Sequence, residues 1–135
     1  MKKTKILNSE LSAVIASMGH TDTIAIGDCG LPIPDSSKRI DLAVKRNLPS
    51  FLDVLETALY ELEVEEVTIA SEIVENNPEL YKKITEMFSS IKINLVPHSE
   101  FKEMTKKCKA VVRTGECMPY ANIILHSGVA FSCEE

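Results

Sequence analysis

Residues 67–96 read VTIASEIVENNPELYKKITEMFSSIKINLV, and this stretch decides the fold class. Val67-Thr68-Ile69-Ala70 is a short, mostly β-branched run, which suits a pleated, buried strand. Pro78 fits the first turn of a helix, where its missing N–H costs nothing, and the helical pattern continues to about Phe88. Ile91-Lys92-Ile93-Asn94-Leu95-Val96 then alternates apolar and polar side chains as a strand does, and Pro97 stops it. Strand, helix and strand in this order predict a parallel pairing with a helix laid against the sheet.

The same rhythm extends outward in both directions. Toward the N-terminus, Leu11, Val14, Ile15 and Met18 recur at helical spacing, with Asn8 placed to cap the start and Gly19 to end the helix in a left-handed turn. Thr23-Ile24-Ala25-Ile26 is a short buried strand. Gly27 to Pro34 holds two glycines and two prolines and is a loop. Arg39 to Val44 is extended. Ser50 caps a second helix with the apolar stripe Phe51, Val54, Leu55, Ala58, Leu59 and Leu62. Toward the C-terminus, Ser99 starts a helix that runs to about Cys108. Ala110 to Arg113 and Asn122 to Leu125 are further strands. With no repeat, linker or low-complexity segment, residues 1–135 form one α/β domain: three layers, α/β/α, around a mostly parallel sheet.

Composition narrows the function classes. A chain of 135 residues can bury about two thirds of its unfolded surface and so build a real core. A net charge of −5 argues against nucleic acid or an anionic membrane as partner, since both favour a basic face. Cys29, Cys108, Cys117 and Cys133 include no C-x-x-C pair and are read as free thiols in a reducing compartment. The start Met1-Lys2-Lys3-Thr4-Lys5 resembles a signal-peptide n-region, but Glu10 falls where the apolar core of such a peptide would lie. No apolar run approaches the ~20 residues that span a bilayer. The expectation is a cytoplasmic, soluble protein.

Candidate chemistry gathers on loops that follow strands, where open α/β sheets bind ligands. Asp28 sits between glycines past the first strand, where its residues alone favour an Asx-turn that stabilises the loop. His98 follows the Ile91 to Val96 strand, or is simply an exposed loop residue. Arg113-Thr114-Gly115-Glu116 is either a salt-bridged turn or a substrate clamp. Tyr120 and Asn122, two apart on an extended segment, point to one side and would offer a polyol a ring and an amide. His20, near a helix C-terminus, suits proton transfer near neutral pH, and Asp22 could orient it or serve as a turn residue. His126 ends a strand. The three histidines and four cysteines share no ligand spacing, so no metal is expected; no phosphate-loop motif supports a nucleotide, and no cofactor is expected.

Met18-Gly19-His20-Thr21-Asp22 and Asp28-Cys29-Gly30-Leu31-Pro32-Ile33-Pro34 resemble the N-terminal signature of the D-ribose pyranase family. The resemblance continues through Arg39-Ile40-Asp41-Leu42-Ala43, Asn47-Leu48-Pro49-Ser50-Phe51, Glu72-Ile73 and Asn77-Pro78. It closes with Pro97-His98-Ser99-Glu100-Phe101-Lys102, Arg113-Thr114-Gly115-Glu116 and Pro119-Tyr120-Ala121-Asn122-Ile123-Ile124-Leu125. It implies an isomerase that interconverts the pyranose and furanose rings of free D-ribose and feeds a ribokinase. It also implies His20 as catalytic acid/base, with Asp28, His98, Tyr120 and Asn122 binding the sugar. The family forms ring-shaped homo-oligomers, such as octamers or decamers, with sites where subunits meet. Related L-fucose mutarotases typically read Asp-Ala-His-x-Pro where this chain has Asp28-Cys29-Gly30-Leu31-Pro32, which favours ribose. A non-catalytic sugar-binding protein for ribose uptake or sensing is the alternative. The chain departs from the family at His126 and in the tail Ser132-Cys133-Glu134-Glu135.

Overall fold

The computed structural model describes residues 1–132. Within them six strands form one sheet: β1 (Thr23–Gly27), β2 (Lys38–Asp41), β3 (Val64–Ala70), β4 (Lys92–Val96), β5 (Ala110–Arg113) and β6 (Ile123–Ser127), in the order β2-β5-β1-β6-β3-β4. The opening stretch folds as its pattern predicts. β3 and β4 pair in parallel from Glu66 opposite Lys92 to Ala70 opposite Val96, joined through α3 (Ile73–Asn76) and α4 (Pro78–Met87). β1 and β2 are both parallel to β5, while β6 runs antiparallel between β1 and β3. Five strands therefore end at one edge of the sheet, and β6 begins there.

The two faces are covered unequally. α1 (Ser9–Ser17), α2 (Phe51–Leu59), α3 and α4 bury Leu11, Val14, Phe51, Leu55, Ile73 and Ile84 against Ile24, Ile26, Val67, Ile69, Val112 and Leu125 of the sheet. Each such side chain contributes about 1.5–3 kcal/mol when fully buried. On the other face α5 (His98–Met104) and a 3₁₀ turn (Thr105–Lys107) set Phe101 on Ala25, Val111 and Ile124. The remainder of that face is polar: Thr68 Oγ1 lies 2.9 Å from His126 Nε2, and the Asn94 amide donates to Thr68 at 3.3 Å and to the Glu66 carboxylate. No helix among the described residues is long and apolar enough to cross a membrane.

Asn8 and Ser50 cap α1 and α2 as expected, accepting from the Leu11 and Asp53 N–H groups. Other local expectations fail for identifiable reasons. Gly19 does not end α1 in a left-handed turn; Met18 closes it in extended backbone, and the left-handed residue is Thr21, φ 74°. The Asp22 carboxylate accepts the Gly19 N–H at 2.9 Å, and the Thr21 N–H donates to Ser127 at 2.9 Å, so bonds to this turn set its shape. β2 stops at Asp41, short of Val44, where the Asp41 carboxylate takes the Ala43 N–H in an Asx-turn. α5 begins at His98, one residue before Ser99. Its first N–H donates to both Glu72 carboxylate oxygens, at 3.0 and 3.1 Å, so a side chain from another element performs the cap. The tail beyond Ser132, including Cys133, lies outside the described residues.

Candidate functional site

At the shared carboxyl edge the chain builds a polar cluster around Asp28. β1 ends at Gly27, where a side chain would be intolerable: a Cβ there would stand 2.5 Å from Leu31 Cδ2 and 2.9 Å from Asn122 Oδ1. Glycine thus lets Asn122, 1% exposed, press against the backbone and accept the Asp28 N–H at 2.9 Å. The Asp28 carboxylate accepts the Gly30 N–H at 3.0 Å. Burial pushes its pKa up, opposed by the Gly30 amide, the Asn122 side chain and the nearby His98.

His98 enters from the first turn of α5. Its ring stacks on Phe101, centroids 6.1 Å apart, and receives Tyr120 edge-on at 5.2 Å and 89°. Burial at Glu72 opposes ionisation, but its own amide and that of His98 outweigh it, holding that carboxyl below its usual range. This pair pins the backbone of His98 while leaving the imidazole free. His98 Nδ1 is buried and has no hydrogen-bond partner, the one such side-chain atom among the described residues. A buried, unpaired ring nitrogen is costly, which singles this atom out within the cluster. Tyr120 reaches the cluster from a left-handed residue, φ 56°, not from the extended segment its spacing suggested. Asp28, His98, Tyr120 and Asn122 therefore meet at one point, although the residues span two loops, a helix start and the entry to β6.

His20 does not join them. It precedes β1, whereas Asp28 follows it, and five residues of strand separate the two ends by about 16 Å at roughly 3.3 Å per residue. At this far edge His20 Nε2 lies 3.0 Å from both Glu65 oxygens, with the two side chains 51% and 44% exposed. Asp22 is a turn residue rather than the orienting carboxylate; Glu65 takes that position. The β3–β6 ladder is irregular between Val64 and Glu66, leaving Glu65 outside its register. Nothing local to Glu63-Val64-Glu65-Glu66 marks which carboxylate will reach a histidine 45 residues away.

The remaining candidates are structural. Arg113 pairs with Asp41 at 3.1 Å and donates through Nε to the Cys29 carbonyl at 3.0 Å. Glu116 accepts the Phe51 N–H at the start of α2 and the N–H groups of Cys117 and Met118. The Arg113-Thr114-Gly115-Glu116 segment is thus a brace between loops. His126 lies within β6; burial lowers its pKa against the pull of Glu66 and Glu65. Among the described residues, no three His, Cys, Asp or Glu side chains gather as a metal-binding group.

Known proteins share this fold. The structure of Bacillus subtilis RbsD complexed with D-ribose superposes with a TM-score of 0.94 at 49% identity, covering 97% of this chain and 100% of that one. A fucose mutarotase from Streptococcus pneumoniae, solved with L-fucose, gives 0.78 at 25% identity over 97% of this chain and 100% of the other. D-ribose pyranase from Bacillus cytotoxicus is 58% identical over 131 residues, 97% of this chain and all of the relative; that from Geobacillus kaustophilus is 53% identical over 135 residues, all of this chain and 99% of the relative. A family profile matches residues 1–130, and with it the whole described sheet. The chain belongs to the RbsD / FucU transport protein family.

Proposed function

We propose that this protein is a D-ribose pyranase, an isomerase that opens and recloses the ring of free D-ribose. The observation that carries the reading is the unpaired His98 Nδ1 beside Asp28, Asn122 and Tyr120. It stands in a chain 49% identical to a protein solved with D-ribose. An acidic acceptor, an imidazole nitrogen, an amide and a phenol at one point suit the alternating donors and acceptors of a polyol.

Ring opening removes the proton of the anomeric hydroxyl, breaks the bond from C1 to the ring oxygen and protonates that oxygen. Rotation and attack on the aldehyde by the C4 hydroxyl, in place of the C5 hydroxyl, close the furanose. Protons lost and gained balance, so a single shuttle serves both halves. His20 is that shuttle. With Nε2 donating to Glu65, its Nδ1 carries the lone pair that takes the proton, and Glu65 stabilises the imidazolium that results. Asp28, His98, Asn122 and Tyr120 hold hydroxyls and orient C1.

Because His20 and this cluster lie at opposite edges of one copy, the working site takes His20 from a second copy of the chain. Exposed Leu7, Val44, Tyr60, Met118 and Phe131 supply apolar surface for such contacts, and a ring of eight or ten subunits would place each copy beside its neighbour. A net charge of −5 fits a cytoplasmic enzyme that hands furanose to a kinase and needs no nucleic-acid or membrane partner.

The family's description carries the word transport, which favours a sugar-binding protein as the second reading. A pure binder needs no proton-transfer residue. Exchange NMR on free ribose, with EDTA-treated protein, separates the two. Accelerated pyranose–furanose exchange is expected; ribose binding without acceleration would establish the binder, and faster turnover of L-fucose than of ribose would move the substrate class.

A further inference from the structure

Two cysteines outside the proposed chemistry stand at its rim. Cys29 follows Asp28 directly, and Cys117 lies three residues before Tyr120; their sulfurs are 3.9 Å apart although 88 residues separate them in sequence. The backbones beneath are already joined, since the Cys29 N–H donates to the Glu116 carbonyl at 2.9 Å and Arg113 Nε holds the Cys29 carbonyl. We propose that Cys29 and Cys117 form a reversible disulfide that ties the Asp28 loop to the Tyr120 loop and weakens ribose binding. The effect on the sugar rests on the site assigned above; the formation of the bond does not.

The surroundings suit the exchange. A cleft of about 240 Å³ beside Cys29 is lined by Lys45, Arg46 and Arg113, and Arg46 Nη1 stands 4.0 Å from the Cys117 sulfur. Such a cationic cleft admits an anionic low-molecular-weight disulfide such as oxidised glutathione. Cys117 is exposed and attacks first; its thiolate displaces one small thiolate and forms a mixed disulfide. Burial and the neighbouring Cys117 sulfur push the Cys29 thiol up, which disfavours it as the first attacker; its 3.9 Å distance from the Cys117 sulfur places it for the second step. Cys29 loses its proton and attacks the Cys117 sulfur, and the second small thiolate leaves. Two protein thiols are oxidised and one small disulfide is reduced to two thiols. Cys108 provides the contrast: it is buried, bonded to Thr23 and Met104, and burial raises its thiol.

Closing the pair from 3.9 Å to the ~2.05 Å of a disulfide draws the two loops together. Asp28 and Tyr120, each within three residues of a bonded sulfur, shift with them. The full-length protein should be incubated with oxidised glutathione, mapped by mass spectrometry and titrated with ribose by calorimetry. The expected result is a loss of about 2 Da per chain at a Cys29–Cys117 linked peptide. Ribose Kd should rise by threefold or more, and dithiothreitol should reverse both changes. Cys117→Ser, which removes the thiol that attacks first, should keep the parental Kd with and without oxidant. Absence of that linked peptide, or its formation with an unchanged Kd, overturns the proposal. If the reduced parent binds no ribose, the sugar-site reading fails instead, while the linked peptide still decides whether the pair forms.

Discussion

The two ends of β1 are built in opposite ways. At the carboxyl end, Asp28 is half-buried, its N–H held by a fully enclosed Asn122, its carboxylate by Gly30, with His98 and Tyr120 locked ring against ring. At the amino end, His20 stands open to solvent and touches an equally open Glu65. The buried end is rigid because Asp28 and the backbone of His98 are each held by neighbours of the same chain, while His98 Nδ1 is left without a partner. In the proposed reading the open end carries the residue whose proton moves and faces outward, where another copy can dock, so that binding is local to one subunit and proton transfer is lent by the next.

The sharpest way to break this division is His20→Ala. It should lower the exchange rate by roughly 10²–10⁴-fold, the usual worth of a positioned acid/base, with ribose affinity in calorimetry nearly unchanged. Near-parental exchange in the folded variant would transfer the role to His98. Mixing this variant with Asp28→Ala tests whether the ends come from different copies. Co-assembly of two inactive chains should restore about a quarter of the sites, since random pairing supplies both intact residues that often. No recovery in verified hybrids would put the whole site in one chain.

Asp28→Asn acts on the buried end. Loss of a charged acceptor should weaken ribose binding about tenfold to a hundredfold, from hydrogen bonds worth ~1.5–3 kcal/mol, and should affect the saturated rate less. It should also raise the thermal midpoint at neutral pH. Burial raises the folded pKa of Asp28, so its contribution to stability is present below the ordinary 3.8 and is lost as pH rises through the folded value. The gap between variant and parent should therefore close as the solution is acidified toward pH 3.8. A variant less stable at neutral pH would mean that the carboxylate's bonds outweigh its burial.

The smallest effect belongs to the open pair. Glu65→Gln should slow exchange only a few-fold, because exposed ion pairs are worth about 0.2–1 kcal/mol. A loss as large as that of His20→Ala would show Glu65 shielded from water in the assembly.

The helices were largely legible from their own residues. Asn8 and Ser50 announce the starts of α1 and α2, Pro78 that of α4, and the stripe from Phe51 to Ala58 becomes the buried face. That Asp28, His98, Tyr120 and Asn122 belong together was legible only through motif resemblance, since Asp28 alone looks like any turn aspartate. Glu65 was not singled out, and Glu72 was quoted only within a motif and given no role, because each acts on a residue 45 or 26 positions away.

Periodicity, caps and turn residues depend on neighbours within a few positions, so the alternation of strands and helices followed from the sequence itself, and the parallel pairing of β3 with β4 agrees with the mostly parallel sheet that this alternation predicts. Direction and partner choice depend on contacts across the whole chain. β6 is a short apolar run like β1 and β5, yet it runs antiparallel, because the connection from β5 contains no crossover helix and re-enters the sheet from the edge where β5 ended. That reversal brings Asn122 to Asp28 at one edge. At the other, the irregular β3–β6 register leaves Glu65 free to meet His20, a pairing no local pattern encodes because register is set by long-range burial.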